Sequence, residues 1–278
     1  MSAAGVEIWS GKDRGDENFP VGSFLIRPDL RRHVHAFYAF ARNADDIADH
    51  PRLAPEEKIA RLDAMEEVLL GRLGDGAAPT AARLRASLAE TGVTPRHAGD
   101  LLHAFRQDAT KRRYASWEEL HDYCAFSAMP VGRHVLDLHG ESEAAYAPSD
   151  ALCVILQVLN HLQDCAGDLA ALDRCYLPAD LLAEHGAGIA DLTAPHASPG
   201  LRRVFVALLG RVAALMPLAA RLPGVVRGRR LRLETAVIVG LARRLAARLG
   251  TEDPLAKRVA LSKLDIAAAT LSALRFLP

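Results

Sequence analysis

The sequence predicts an all-α protein that forms a single domain over residues 1–278. Ala and Leu dominate its apolar residues, and aromatic residues make up only 5% of the chain. This mixture favours helices over sheets, because Ala and Leu lose little conformational freedom in a helix. Apolar residues also recur at helical spacing, as at Ile59, Leu62, Met65 and Leu69. No internal repeat or convincing linker divides the chain, so one helical bundle is the expected architecture.

Prolines, glycines and capping residues place the individual helices. Ser116 is followed three residues later by Glu119, which is the pattern of a capping box, and Pro130 is expected to kink the helix that begins there. Gly250 suits the position just after a helix. The predicted helices begin at residues 28, 55 and 95 and cover 116–139, 148–172, 201–222, 231–249 and 254–276, with irregular stretches at 71–79 and 186–200.

The charge balance argues against a nucleic-acid-binding protein, since 34 Lys and Arg match 34 Asp and Glu. Arginines cluster at Arg227, Arg229, Arg230 and Arg232, which indicates either an anionic membrane or partner surface or a solvated helix face. Residues 1–17 are polar and lack the apolar core of a signal peptide. No run of about 18 apolar residues predicts a membrane span, so we expect a cytoplasmic protein.

Cysteine and histidine spacing predicts no transition-metal site. The four cysteines, Cys124, Cys153, Cys165 and Cys175, contain no C-x-x-C pair, and the histidines are scattered. A chain of this size also needs no disulfide framework, which fits a reducing compartment. No glycine-rich dinucleotide loop follows a strand, so no nicotinamide cofactor is expected.

A polar stripe runs along the first predicted helix. Tyr38, Arg42, Asp45 and Asp49 fall within an arc of roughly 60° at helical spacing, and Asp46 lies beside them. The rest of this helix is rich in Ala, Phe and Ile, so the stripe is expected to point inward. Two carboxylates four residues apart repel each other, and this repulsion requires a compensating positive charge.

A second stripe of the same design lies on the helix predicted at 148–172. Gln157, Asn160, Asp164 and Asp168 cover an arc of roughly 80°, and Gln163 directly precedes Asp164. One such stripe alone could be an acidic surface in water. Two stripes on helices dense with Leu, Ile and Ala favour an interior site, where carboxylates need partners.

Magnesium is the natural compensation for these carboxylates, because Mg²⁺ binds one or two carboxylates together with water and phosphate oxygens. We expect the pairs Asp45/Asp49 and Asp164/Asp168 to face each other and to grip a diphosphate through Mg²⁺, with Asp46 as a further metal ligand. The metal would neutralise negative charge on the leaving group. The apolar helix faces would enclose a central cavity for a hydrocarbon chain.

Basic and aromatic side chains complete the predicted site. Arg42 can contact phosphate directly, because its guanidinium is a forked donor, and Arg174 and Tyr176 are candidates for the same end of the site. A carbocation released from the substrate would be stabilised by aromatic faces such as those of Tyr38 or Tyr123.

These residues resemble the motifs of the squalene/phytoene synthase family. The first stripe matches the pattern Y-A-x-x-R-x-x-D-D-x-x-D, and the second matches Q-x-x-N-x-x-x-D-x-x-x-D followed by R-x-Y-x-P. Residues 123–133 are similar to the family's Y-C-x-x-S-A-x-P-V-G-R helix. The resemblance covers nearly the whole chain. It implies the trans-isoprenoid (terpenoid) synthase fold and a prenyl diphosphate substrate, with Gln157, Asn160 and Gln163 among the substrate-binding residues.

Several segments are similar to the bacterial hopanoid-pathway branch of the family, among them residues 17–21 and 105–114. Gln163 stands where condensing relatives usually carry Arg, and one positive charge fewer beside Asp164 suits a site that holds a single diphosphate. The implied reaction releases diphosphate from presqualene diphosphate and adds water to give hydroxysqualene. A presqualene diphosphate synthase and a separate reductase would then be functional neighbours.

Two residues depart from the family pattern, and two other functions stay open. Met129 stands where Asn is expected, and Asp173 replaces the usual Gly before Arg174. The chain could instead be a condensing synthase that makes presqualene diphosphate, squalene or phytoene from two allylic diphosphates, or a catalytically silent assembly factor. The intact aspartates disfavour the silent protein. A lipophilic substrate would favour peripheral contact with a membrane.

Overall fold

The computed structural model describes residues 5–11 and 26–276, and within these residues the chain is helical. Twelve α-helices are present in this part of the chain: α1 Arg31–Ala48, α2 Pro55–Leu69, α3 Pro79–Thr91, α4 Arg96–Thr110, α5 Trp117–Ser127, α6 Met129–Leu138, α7 Tyr146–Leu172, α8 Ala179–Glu184, α9 Pro199–Ala219, α10 Leu222–Val225, α11 Arg229–Thr251 and α12 Lys263–Ala273. Short 3-10 helices occur at Asp75–Ala77, Glu143–Ala145, Ile189–Thr193 and Leu274–Phe276. The described residues form no strand, only an isolated bridge between Arg113 and Cys175. The all-α prediction is confirmed.

Most helices begin where the capping and proline signals place them. Pro55 opens α2 in the first turn, where its missing N–H costs no helical hydrogen bond. The Ser116 hydroxyl accepts the backbone N–H of Glu119 at 3.3 Å, and the Glu119 carboxylate accepts the N–H of Ala115. The first bond satisfies a donor that the start of α5 leaves open, and the second fixes the residue before the cap.

The expected kink near Pro130 is a break between two helices. The chain leaves helical geometry at Ala128, with φ −123° and ψ −49°, and resumes as α6 at Met129. Pro130 lies in the first turn of α6, where it removes no intrahelical hydrogen bond. The local effect of the proline is therefore to separate α5 from α6.

The last predicted helix begins later than expected. Residues 254–262 are irregular, and α12 starts after Ser262, whose hydroxyl accepts the N–H of Asp265 while the Asp265 carboxylate accepts the N–H of Ser262. The Asp253 carboxylate instead accepts the N–H of Leu255, a local turn that competes with helix formation. The assignment of Gly250 to a position beyond α11 is also wrong, because this helix continues to Thr251.

The helices group into two compact units, Met1–Lys111 with Arg133–Gly140 and Arg112–Gly132 with Glu141–Pro278. In the first unit α1 packs against α2, α3 and α4, and its core includes the fully buried Phe40. In the second unit α7 packs against α5, α9 and α11, while α11 also packs against α10 and α12. Each aspartate-bearing helix therefore lies at the centre of its own unit. The single domain over residues 1–278 stays a prediction.

One helical region has the length and composition of a membrane span. It covers Pro199–Val225, and 28% of its most apolar window is buried. A core helix of a water-soluble protein passes the same test, and here α9 packs against α7 and α11. Arg202, Arg203 and Arg211 interrupt the region. This feature by itself therefore assigns no span.

A close approach between α6 and α7 gives a first testable prediction. A Cβ atom at Gly132 would lie 2.7 Å from Cys153 Sγ and nearer still to Ser149 Oγ. We expect Gly132→Ala to lower the free energy of unfolding by about 1–3 kcal/mol through this overlap, as measured by urea unfolding. Adding Ser149→Ala and Cys153→Ala should recover much of the loss. Gly210→Ala is the control, since its Cβ would meet nothing within 4 Å.

Full stability of Gly132→Ala would contradict this packing account. It would mean that the two α7 side chains move aside at no cost.

Candidate active site

The first aspartate stripe lies along one face of α1, as predicted. Tyr38, Arg42, Asp45 and Asp49 are all partly exposed, whereas Phe37, Phe40, Ala44 and Ile47 on the other faces are buried. The stripe is thus a polar edge on a helix that otherwise belongs to the core of its unit. Its side chains can reach a ligand without breaking the packing of α1.

Arg42 joins the first two carboxylates of this motif. Its Nη2 atom lies 2.8 Å from Asp45 Oδ2 and 2.6 Å from Asp46 Oδ1. Asp46 Oδ2 also accepts the backbone N–H of Ser10 at 3.0 Å, and the Asp46 side chain is only 1% exposed. Both carboxylate oxygens of Asp46 therefore have protein partners. These contacts favour a structural role for Asp46 over the metal-ligand role that the motif suggested.

Asp45 lies where negative charges concentrate. Burial raises its pKa well above the usual value, Asp49, Asp108 and Asp46 raise it further, and Arg42 opposes them. Its side chain is nevertheless 32% exposed, so the carboxylate sits in a recess that is open on one side. A cation that entered through this opening would stabilise the ionised form of Asp45.

Asp108 is a site residue that belongs to neither of the two predicted stripes. It lies on α4 and is 3% exposed, and its charge acts on Asp45. In the sequence, Asp108 belongs to residues 105–114, the segment that is similar to the hopanoid-pathway branch of the family. No pattern within α4 marks a single buried aspartate as a partner of α1, because that contact is tertiary. The first unit therefore contributes one more carboxylate than the motif predicts.

The second stripe lies on α7 with the predicted arrangement. Gln157, Asn160, Asp164 and Asp168 are all partly exposed, and the apolar residues between them are largely buried. The stripe occupies one face of the longest helix of the described chain. The expectation that this stripe faces the one on α1 stays a prediction.

Gln163 makes a different contact from the one expected of it. Its side chain is buried, and Nε2 donates to the carbonyl oxygen of Val259 at 2.5 Å. The adjacent residue Arg258 places Nε 3.2 Å from Asp164 Oδ1. Gln163 and Asp164 of α7 thus contact Val259 and Arg258 of the irregular segment 254–262. The positive charge beside Asp164 is therefore that of Arg258.

The sequence does not mark Arg258, because it predicts a helix over residues 254–276. Its side chain is 54% exposed, so the ion pair with Asp164 is weak and easily rearranged. The guanidinium can therefore serve either Asp164 or an anionic ligand beside it.

An aromatic cluster lies next to the second stripe. The His161 ring stacks on Tyr176 with centroids 3.6 Å apart, and Tyr123 and Tyr114 lie 5.7 and 5.5 Å from Tyr176. Arg174 is buried in the same unit. The structure thus brings the predicted residues Tyr123 and Tyr176 together, although both are almost fully buried.

His161 is held neutral in this cluster. Burial, with a smaller effect of Arg174, lowers its pKa to about 3. Its Nε2 lies 3.2 Å from Nε2 of Gln157, so it links the cluster to the stripe. No sequence signal marks this role, because a lone histidine among apolar residues has no pattern of its own.

Asp173 has a structural reason to replace the usual glycine. It ends α7 in the left-handed conformation, with φ 52°, which glycine adopts freely and aspartate tolerates better than most residues. Arg113 Nη2 contacts Asp173 Oδ1 at 2.6 Å and holds this turn. The departure therefore preserves the chain path that leads to Arg174. The structure offers no account of Met129, which is buried.

The donor atoms fit magnesium better than a softer metal. Among the described residues no three His, Cys, Asp or Glu are arranged to hold an ion by themselves. Burial raises the pKa of Cys124 and of Cys165 to about 12, so both are neutral thiols. Mg²⁺ needs only one or two carboxylates when water and phosphate oxygens supply the rest. The partly exposed aspartates of α1, and separately those of α7, are donors of that kind.

Comparison with known proteins gives the class and the family. The crystal structure of squalene synthase HpnC from Alicyclobacillus acidocaldarius matches with a TM-score of 0.73 and 32% sequence identity, over 84% of this chain and 88% of that one. The helical fold is that of the squalene synthase-like terpenoid synthases. The squalene/phytoene synthase family model matches residues 12–265, and this chain belongs to that family.

Two relatives refine this result. Hydroxysqualene synthase of Rhodopseudomonas palustris is 47% identical over 268 residues, covering 96% of this chain and 91% of that protein. Hydroxysqualene synthase of Sinorhizobium fredii is 47% identical over 90% of this chain and 85% of that protein. The family prediction is confirmed. Residues 17–21, on which part of the branch prediction rested, lie outside the described residues.

The neutral state of His161 predicts acid sensitivity. Its folded pKa of about 3 lies below the usual 6.5, so the unfolded chain takes up a proton first as the pH falls below 6.5, and stability is lost from there towards pH 3. At pH 5 this amounts to about 2 kcal/mol relative to pH 8. We expect His161→Phe, which keeps a ring against Tyr176, to show a correspondingly smaller loss in urea unfolding.

His196→Gln is the control, because that side chain is 75% exposed. If the free energy of unfolding of His161→Phe falls with pH as steeply as that of the unaltered chain, the neutral state of His161 is not the cause of the acid sensitivity.

Proposed function

We propose that this enzyme converts presqualene diphosphate into hydroxysqualene and releases diphosphate. The observation that carries the proposal is the crowding of carboxylates around Asp45, where three further aspartates oppose its ionisation. Metal ions that bind together with an anionic ligand would offset the repulsion between these carboxylates. The likeness to two hydroxysqualene synthases supports the choice of substrate within the family.

Asp45 and Asp49 on α1, and Asp164 and Asp168 on α7, are proposed to bind Mg²⁺ together with the diphosphate. When bound, the metal would neutralise the negative charge that develops on the departing diphosphate. Asp46 is left out of this set because Arg42 and Ser10 already occupy its oxygens.

Cationic side chains are proposed to bind the diphosphate directly. Arg42 stands between Asp45 and Asp46 on α1, and Arg258 stands beside Asp164. Each guanidinium can form two parallel hydrogen bonds to phosphate oxygens, which lysine cannot do with the same geometry. Arg258 is the more exposed of the two, at 54% against 13% for Arg42, and its neighbour Val259 is hydrogen-bonded to Gln163. Gln163 thus acts on the diphosphate through the segment that carries Arg258.

The reaction breaks the carbon–oxygen bond to the diphosphate and leaves a carbocation. The oxygen of a water molecule then adds to the rearranged cation, and its proton is lost. Aromatic faces stabilise a nearby cation without attacking it, which suits Tyr38 on α1 and the ring of Tyr123 in the aromatic cluster. The reaction consumes no reductant. A reductase acting on the alcohol and a synthase supplying presqualene diphosphate are proposed as functional neighbours.

The decisive experiment identifies the product. The purified chain with Mg²⁺ receives either presqualene diphosphate or farnesyl diphosphate, in water enriched in ¹⁸O, and the lipids are analysed by mass. We expect hydroxysqualene carrying one ¹⁸O from presqualene diphosphate, and no condensation of farnesyl diphosphate. Rapid formation of presqualene diphosphate from farnesyl diphosphate would identify a condensing synthase instead. No product from either substrate would favour a silent assembly factor.

Substitution of single aspartates separates metal binding from structure. We expect Asp45→Asn and Asp164→Asn each to lower turnover by at least about 100-fold, because each removes a charge that balances the metal–diphosphate complex. Their helical circular dichroism should stay unchanged. Asp46→Asn should instead lower the thermal unfolding temperature, since it weakens the bonds to Arg42 and Ser10. Near-normal turnover in both Asp45→Asn and Asp164→Asn would remove the metal assignment.

A further inference from the structure

The charges of this chain are divided along its sequence. Residues 199–278 contain 15 Lys and Arg against 4 Asp and Glu, a net charge of +11, and the remaining residues contain 19 against 30, a net charge of −11. The overall balance of zero hides this division. A strongly basic segment in a neutral protein indicates an anionic partner.

The few acidic side chains of this segment do not offset its charge. Asp265 is held by Arg248 and by Ser262, and Glu252 is held by Arg248 and Lys257. Glu234 is buried. By contrast, the described residues provide no ion-pair partner for the exposed cations Arg221, Arg229, Arg243 and Lys263. Their positive charge is directed to solvent.

An apolar stripe on α12 accompanies this charge. Leu264, Ala267 and Leu271 on α12, with Leu274 at the start of the 3-10 helix that follows, have the spacing i, i+3, i+7 and i+10, which keeps them within an arc of roughly 80°. All four are exposed, with Leu264 at 81% and Leu271 at 72%. Leucines at such exposure are costly in water. Their alignment on one face indicates that something apolar covers them.

A groove lies behind this stripe in the same unit. It has a volume of about 280 Å³ and is bounded by the end of α9, by α10, α11 and α12. Its floor consists of small apolar residues such as Ala236, Gly240 and Ala269, and Arg243, Arg244 and Arg275 line it. Arg244 also lies 3.8 Å from Asp265. Guanidinium groups around a small apolar groove are suited to a phosphate that carries a hydrocarbon chain.

We propose that this face docks on a bilayer that contains anionic lipids. α12 lies in the membrane interface with the leucine stripe among the acyl chains, and Lys263, Arg243 and Arg275 contact lipid phosphates. The proposal needs both features of the surface. Nucleic acid would use the cations but not the leucines, and a second copy of the chain would bring the same positive charges together.

Vesicle binding tests the proposal. The full chain, without substrate, is sedimented with phosphatidylcholine vesicles that contain either no anionic lipid or about one third phosphatidylglycerol. We expect binding to the anionic vesicles only, and weaker binding at high salt. The double variant Leu264→Gln/Leu271→Gln should bind at least about tenfold more weakly. Val206→Gln, another exposed apolar residue at 60%, is its control.

A second pair of variants tests the charges. Arg243→Ser/Arg275→Ser should bind the anionic vesicles more weakly and lose much of the salt dependence. Arg96→Ser, an exposed arginine on α4, should bind like the unaltered chain. Vesicle binding by Asp164→Asn should also be unaltered, so failure of the proposed reaction and failure of membrane docking can be told apart.

Three results would overturn the proposal. The first is no binding to anionic vesicles. The second is equal binding by the leucine double variant. The third is a concentration-dependent dimer in light scattering that the same variant abolishes, which would make a second copy the occupant of the stripe.

Discussion

Repulsion between carboxylates is the constraint on which the rest of this structure depends. Asp45 lies in a recess where burial and the charges of Asp49, Asp108 and Asp46 raise its pKa, and Arg42 opposes this effect. A helix cannot keep such a set at low cost unless a ligand supplies positive charge in function. The surrounding core of Phe40 and Ile47 holds α1 in place despite this repulsion. The packing of the first unit therefore maintains a site that electrostatics alone would disperse.

Helical periodicity explains how much of this site the sequence could predict. Asp45/Asp49 and Asp164/Asp168 each lie on one helix, so a spacing of four residues is enough to place both members on the same face. Asp108, His161 and Arg258 could not be found this way, because their roles arise from contacts between separate elements. Arg258 is the clearest case, since a local turn at Asp253 converts an expected helix into the segment that reaches Asp164.

The difference between local spacing and contacts from distant parts of the chain also explains Gln163 and Asp173, which depart from the pattern of the family near the second stripe. Gln163 stands where condensing relatives usually carry a positively charged Arg. Its observed contact is a hydrogen bond to the carbonyl oxygen of Val259, the residue next to Arg258. Asp173 looked like a disturbance of the site, yet it adopts the left-handed turn that the usual glycine would adopt. In both cases the sequence located the important position correctly. The physical role depended on a partner 60 or more residues away, Arg113 for Asp173 and Val259 for Gln163.

The division of charge along the chain links the two proposals without making them depend on each other. Carboxylates concentrated before residue 199 favour a site that takes up metal cations with an anionic substrate. Cations concentrated after that residue favour an anionic surface, and the exposed leucines of α12 restrict that surface to one with an apolar interior. The hydrocarbon chain of the proposed prenyl substrate would also enter such an interior. A chain with zero net charge can thus attract opposite partners, because screening over about 10 Å makes each charged region act locally.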